Sequence, residues 1–331
     1  MTDKPIDTAL HKLAKMVIAT CSSSTDINLE LLNDKSGAII FLLSYAKYYN
    51  IDKYKSYAMG LLEYIQDSSI ISNDNKVIIH NLIDIGMVMN YIGSQELATG
   101  NLDDLLEEAD SFLLSCFDNK YSLYLTYREL TTIGKYFLLR IAAAPLSLNH
   151  QIHIKALNKA VELLKFHIAN VPICNPVIVK FLYLSSLVLP NKSIESLLIQ
   201  QLNNYPNHTT WYRYVIPNWF NTFFIPEDHE LLRKIIIKEV EEYCCKYSDN
   251  DGLGIISGGT SGLIVWMNLL SDNFPKEKYN GIKNTAVEKI TSNIDRYKIS
   301  TDVSINRGCS GIGLALLSCI DSKCNQWIKL L

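Results

Sequence analysis

The chain reads as an all-α protein built from repeated helical hairpins. Three observations predict this. A glycine-marked apolar segment recurs along the whole length, an amphipathic stretch follows each copy, and no hairpin dipeptide sits between two runs of alternating polarity.

The clearest apolar segments are 36–43, 84–90, 132–139, 260–266 and 308–318, with marker glycines Gly37, Gly86, Gly134, Gly262 and Gly311. Neighbouring markers are about 45 to 50 residues apart, a spacing typical of helical repeats. The interval between Gly134 and Gly262 holds two further, degraded copies, 175–182 and 215–224, which gives seven units. The glycine ahead of each helix is expected to serve a turn with positive φ or a close approach of backbones.

The intervening helices are half-polar and begin near Asn101, Asn149, Asn191, Pro226 and Pro275. In the fourth of these, Leu232, Ile235, Ile236, Val240 and Tyr243 share one face, while Arg233, Lys234, Lys238 and Glu239 lie elsewhere. Pro226 followed by Glu227 and Asp228 suits a first helical turn. The last apolar segment is different, because Ile312, Leu314, Ala315, Leu316, Leu317, Cys319 and Ile320 leave it no polar face. A helix that is apolar all round must be enclosed by others. Enclosed helices alternating with half-exposed ones predict an α/α toroid, a barrel of seven inner and seven outer helices, with 1–331 as one domain.

Composition narrows the function classes. With 48% hydrophobic and 20% charged residues the chain can bury a large core, and it carries no low-complexity tract. A net charge of −3 without a Lys/Arg stripe argues against nucleic acid. The N-terminus lacks the pattern of a signal peptide and no later stretch is expected to span a membrane, so a cytoplasmic location is expected. Eight cysteines without C-x-x-C spacing fit a reducing compartment and buried thiols.

The repeats, the terminal 308–320 segment and Trp327 resemble the lanthionine synthetase C-like family, best over 131–143, 257–269 and 308–331. The resemblance implies an α/α toroid that acts on ribosomally made peptides, adding cysteine thiols to dehydroamino acids to form thioether rings. It also implies a zinc ion held by two cysteines and a histidine. Zinc matters there because a free thiol, with a pKa near 8.5, is only a few per cent thiolate at neutral pH, whereas a coordinated thiol is deprotonated.

This chain departs from the family at those positions. Where the family carries Cys-His-Gly it reads Ser257, Gly258 and Gly259, and the remaining cysteine position reads Tyr212. The family's histidine falls near Cys174 and its aspartate near Leu125. No zinc ligand carries over, so neither a metal nor another cofactor is expected. His150 and His153 have i, i+3 spacing, but the helix reads as solvated with no acid or cysteine one turn on.

The residues ahead of the apolar helices are expected to line the toroid's mouth. Tyr127, Arg128, Asn175, Arg213, Tyr214, Ser257, Thr260 and Arg307 are the candidate substrate-binding residues. Tyrosine gives rigid amphipathic contact and arginine forks onto carboxylates, which suits peptide recognition. Glu129, Cys174 and Tyr212 are the candidate acids and bases. The expected role is a zinc-free accessory or scaffold that binds a precursor peptide, with a dehydratase as a further partner. One alternative is a zinc-independent cyclase, in which Arg213 and Arg307 would stabilise an enolate. Another is a carbohydrate-active α/α barrel, although Asp34, Asp84 and Glu129 form no evident pair. A general protein-interaction toroid is the remaining alternative.

Overall fold

The computed structural model describes residues 4–23, 35–69, 75–97, 100–117, 125–143, 147, 149–169, 174–189, 191–204, 226, 228–246, 259–270, 276–295 and 302–330. Among these it is all-α: thirteen α-helices, a terminal 3₁₀ stretch at Ser322–Leu330, and no strand. The chain divides into two compact units, 1–88 with 219–331, and 89–218.

The first unit contains α1 (Lys4–Ser23), α2 (Lys35–Tyr49), α3 (Asp52–Ser69), most of α4 (Asn75–Ser94), α10 (Glu230–Lys246), α11 (Thr260–Leu270), α12 (Lys276–Asn293) and α13 (Cys309–Ile320). Its core is formed by helices with no exposed face. Lys35 through Ala46 are all buried in α2, and Cys309 through Ser318 are all buried in α13. In α11, Thr260 through Met267 are buried as well. α2 and α11 each pack against a half-exposed successor, α3 and α12, and α13 packs on both α2 and α11.

The N-terminal helix α1 is an element the repeat pattern did not indicate. It buries Ile6, Ala9, Leu10, Leu13, Ala14 and Val17, one helical stripe, and packs on α13, α2 and α12. The first helices of the chain thus lie against the last ones.

The second unit contains α5 (Leu102–Ser115), α6 (Tyr127–Ala143), α7 (His150–Ile168), α8 (Pro176–Val188) and α9 (Lys192–Asn203). α6 pairs with α7 and α8 with α9, while α6 contacts α8 and α7 contacts α9. Asparagine starts three of these helices as expected from the sequence. The Asn101 side chain accepts from Asp103 N at 3.1 Å, Asn175 from Val177 N at 3.0 Å, and Asn191 from Ser193 N at 2.9 Å. Each satisfies a backbone donor that the first turn leaves open.

Three expectations need correction. Pro226 does not open a helix; α10 starts at Glu230, and Leu232 N donates to His229 Nδ1 at 3.3 Å. In α10 Leu232, Ile236 and Val240 are buried as expected, but so is Glu239, at 2% exposure. The marker glycines do not all precede their helices: Gly86 and Gly134 lie in helix interiors, and none of the five has positive φ. One window in α4, Val77–Ser94, is apolar and long enough to cross a bilayer by length and composition, but 56% of it is buried, as in a core helix, which makes it weak evidence for a span.

Close approach is what glycine supplies at two sites. A Cβ on Gly134 of α6 would sit 2.4 Å from Phe181 of α8, and one on Gly313 of α13 would sit 2.2 Å from Phe41 of α2. In both cases the edge of an aromatic ring fills the space a side chain would take.

Candidate functional site

The residues expected at the mouth begin with the first turn of α6. Thr126 N donates to the Glu129 carboxylate at 2.6 Å, and Glu129 N donates to Thr126 Oγ1 at 3.3 Å. This is a reciprocal capping box, the arrangement that Thr-x-x-Glu ahead of an apolar run encodes. It holds Glu129 buried at 6% exposure, with its carboxylate engaged by the backbone. Beside it Arg128 is exposed and its guanidinium lies 6.0 Å from the centre of the Tyr127 ring. The Arg128 Nε also donates to the Tyr127 hydroxyl at 3.3 Å.

At the start of α8, Asn175 is likewise engaged. Its side chain caps the helix, and its backbone N–H donates to Gln201 Oε1 of α9 at 3.2 Å. Cys174 is buried at 4% exposure, and burial pushes its thiol up to about 12. A thiol in that state is neither a ready acid nor a source of thiolate. The α6 and α8 starts belong to two packed helices of one unit, but among the described residues no hydrogen bond or ion pair joins them.

Thr260 and Arg307 belong to the other unit. Thr260 opens α11 and is fully buried, whereas Arg307 is exposed just before α13. Arg307 is positioned by a tight loop. Its N–H donates to Ser304 Oγ at 3.1 Å, Cys309 N to Asp302 O at 3.0 Å, and Gly311 N to Ser304 O at 3.2 Å. The first donors of α13 are therefore satisfied by the loop's own carbonyls. Tyr212, Arg213, Tyr214, Ser257 and Asp34 lie outside the described residues.

The strongest polar constellation was not read from the sequence. Asp110 of α5, Tyr136 and Arg140 of α6 and His153 of α7 form a buried cluster inside the second unit. Arg140, at 0% exposure, donates through Nη2 to Asp110 at 2.9 Å and to Asp103 at 2.7 Å. Its Nε bridges both Asp110 oxygens at 3.2 Å. Asp110 also accepts from the Tyr136 hydroxyl at 2.5 Å and pairs with His153 Nε2 at 3.0 Å. Ser147 closes the far side by donating to Asp103.

Burial alone would raise the Asp110 carboxyl, but the donors from His153, Arg140 and Tyr136 outweigh it and hold it below the ordinary carboxylate value. The carboxylate in turn raises the Tyr136 phenol, which burial already pushes upward. With Asp110 ionised, His153 donates from Nε2. Its Nδ1 and the Arg140 Nη1 have no partner among the described residues.

His153 corrects the solvated reading of its helix. The acid that meets it comes from α5 rather than from one turn along α7, so no spacing rule within one helix could find it. Among the described residues no group of three or more His, Cys, Asp and Glu is placed to hold a metal. Chemically the cluster is a charge-paired clamp on three helices, closed to solvent at Arg140 and His153.

A second buried basic group, Lys180 of α8, is pushed down by burial to about 7. Compared with family models, curated proteins and solved structures, the chain matches none.

Proposed function

We propose that this chain is a lanthionine synthetase C-like protein, a single α/α toroid over 1–331. In this reading it binds a precursor peptide at the mouth and serves its modification as an accessory or scaffold, without a zinc site. The observation that carries the reading is the packing of the first glycine-marked helix, α2, on the last, α13, as ring closure requires. α1, which packs on α13, then fits as an outer helix beside it. The repeated pairing of an enclosed helix with a half-exposed one supports the same arrangement.

Binding is favoured over catalysis by the state of the candidate groups. Glu129 is engaged in a helix cap and Cys174 is buried with a raised thiol. Ser257, Gly258 and Gly259 stand where the family carries ligands, and these cannot supply thiolate or imidazole. Exposed Arg128 stacked beside Tyr127 is the kind of side-chain pair that grips peptide.

The test is calorimetric titration of the purified protein with each peptide encoded beside its own gene, alongside its zinc content by elemental mass spectrometry. Saturable binding without stoichiometric zinc is expected. Failure to bind every such peptide would overturn the proposal, and one zinc per chain would return the protein to the metal-dependent cyclases.

A further inference from the structure

We infer that Asp7 and His11 of α1, with Tyr45 and Tyr49 of α2, form a binding site for a ferric ion. None of these residues takes part in the peptide-binding reading above. Asp7 and His11 are four positions apart and share one face of α1, and Tyr45 and Tyr49 share one face of α2 in the same way. The two helices pack on each other, and their residues pair in reverse order, Tyr49 with Asp7 and Tyr45 with His11. An antiparallel pair of helices thus brings four donor groups to one place, the way metal sites are built between facing helices of a bundle.

The spacing suits one ion. The Tyr49 hydroxyl donates to Asp7 Oδ1 at 2.5 Å, and the Tyr45 hydroxyl meets His11 Nδ1 at 2.6 Å. Neighbouring ligands of an octahedral ion bonded at about 2.0 Å stand about 2.8 Å apart. The two pairs are close to each other as well, with ring centroids 4.8 Å apart for Tyr45 and Tyr49 and 5.0 Å for His11 and Tyr49. Tyr45 is 1% exposed, Asp7 and Tyr49 are half-buried, and His11 is exposed, so the cluster runs from the core to solvent and leaves an ion a way in. The Tyr54 ring, edge-on to Tyr45 at 4.9 Å, packs against the buried end.

The donors select the ion. Phenolate and carboxylate oxygens are hard ligands, and among the metals that imidazole suits, zinc, copper, iron and nickel, iron is the one with a common trivalent state. Two phenolates and a carboxylate carry three negative charges. A trivalent ion makes that set neutral, whereas a divalent ion leaves a charge in a site whose inner end is dry. Burial raises both phenols, helped by Tyr54 at Tyr45 and by Asp7 at Tyr49, so a strongly polarising ion is needed to take their protons. On binding, two O–H bonds break, two iron–oxygen bonds form, both protons pass to solvent, and the iron keeps its oxidation state.

The test uses the full chain, dialysed against a chelator and titrated with ferric nitrilotriacetate. A visible phenolate-to-iron charge-transfer band should grow in and saturate at one ion per chain. Resonance Raman scattering excited in that band should show phenolate ring modes, a signature that needs no variant. Tyr45→Phe and Tyr49→Phe, which keep the rings, should each weaken the band, and the double variant should lose it. Asp7→Asn should lower the affinity by more than about tenfold, since even residues behind a ligand are worth that much. Tyr64→Phe, at an exposed position of α3, is the control and should change nothing.

No band, a band without phenolate modes, or a band of full strength in the double variant would each overturn the inference. Displacement of the ferric ion by an equal concentration of zinc or magnesium would overturn it too, because the charge balance would then not govern the choice of ion.

Discussion

Replacing Arg140 with methionine is expected to cost the second unit a large part of its stability. Methionine keeps most of the volume and removes the charge. The guanidinium is fully buried and makes every one of its described contacts with Asp110 and Asp103. Without it Asp110, only 6% exposed, keeps Tyr136 and His153 as donors but loses the cation that balances it. Breaking a buried pair from one side costs about 3 to 5 kcal/mol, far more than the net worth of an intact pair, because the remaining charge stays desolvated.

At roughly 2 to 4 °C per kcal/mol the apparent Tm should fall by about 10 °C, measured by circular dichroism at 222 nm and neutral pH. Asp110 ionises more readily in the folded chain than in the unfolded one. Its stabilisation is therefore complete above the unfolded carboxyl value near 4, and is lost as pH falls through the lower folded value. The stability gap between wild type and Asp110→Asn should accordingly hold constant between pH 6 and about 4 and narrow as pH falls below about 4. A Tm change within about 2 °C for Arg140→Met would refute the argument, since it would mean that the cluster is hydrated or that Asp110 is neutral.

Gly313→Ala should destabilise by about 1 to 3 kcal/mol in urea unfolding, because the new methyl meets the Phe41 ring; adding Phe41→Leu should recover part of the loss. Cys174 should resist a thiol reagent at pH 8 in the folded protein, with labelling followed by mass spectrometry, since its thiol is buried and raised to about 12. Lys180→Met should raise the Tm at pH 7. It should also flatten the rise of stability between pH 7 and 10, because over that range the unfolded chain keeps the Lys180 proton that the folded chain, with its lowered pKa of about 7, has released.

The helical class and much of the hairpin alternation were legible because they rest on local signals. Asn101 and Asn191 cap helices that start one residue later, and the all-apolar text around Ile312 belongs to a helix that is buried along its length. The role of the glycines was only half legible. Their spacing marks the repeats, but the ring that needs the missing side chain at Gly134 is on Phe181, a different helix. α1 escaped notice because it carries no glycine and its partners, α12 and α13, lie at the other end of the sequence.

His153 was misread for a related reason. Its face of α7 looks polar by composition, while the acid and the arginine that make burial tolerable come from α5 and α6. At the candidate site, the Thr126 to Glu129 spacing contains a capping box in plain view. Knowing that it uses up the Glu129 carboxylate required the hydrogen bonds themselves.

The packing of α1 on α12 and α13 has a consequence for how the chain is made. Lys12 and Asp295, which meet across this contact, are separated by 283 positions. At about 5 to 20 residues per second a ribosome needs roughly 15 to 60 s to deliver the second after the first. For most of that interval α1 and the largely apolar α2 can pack on each other and on α3, but lack α12 and α13, which complete their burial. The late arrival of α12 and α13 predicts that the yield of this protein responds to the supply of ribosome-associated chaperones.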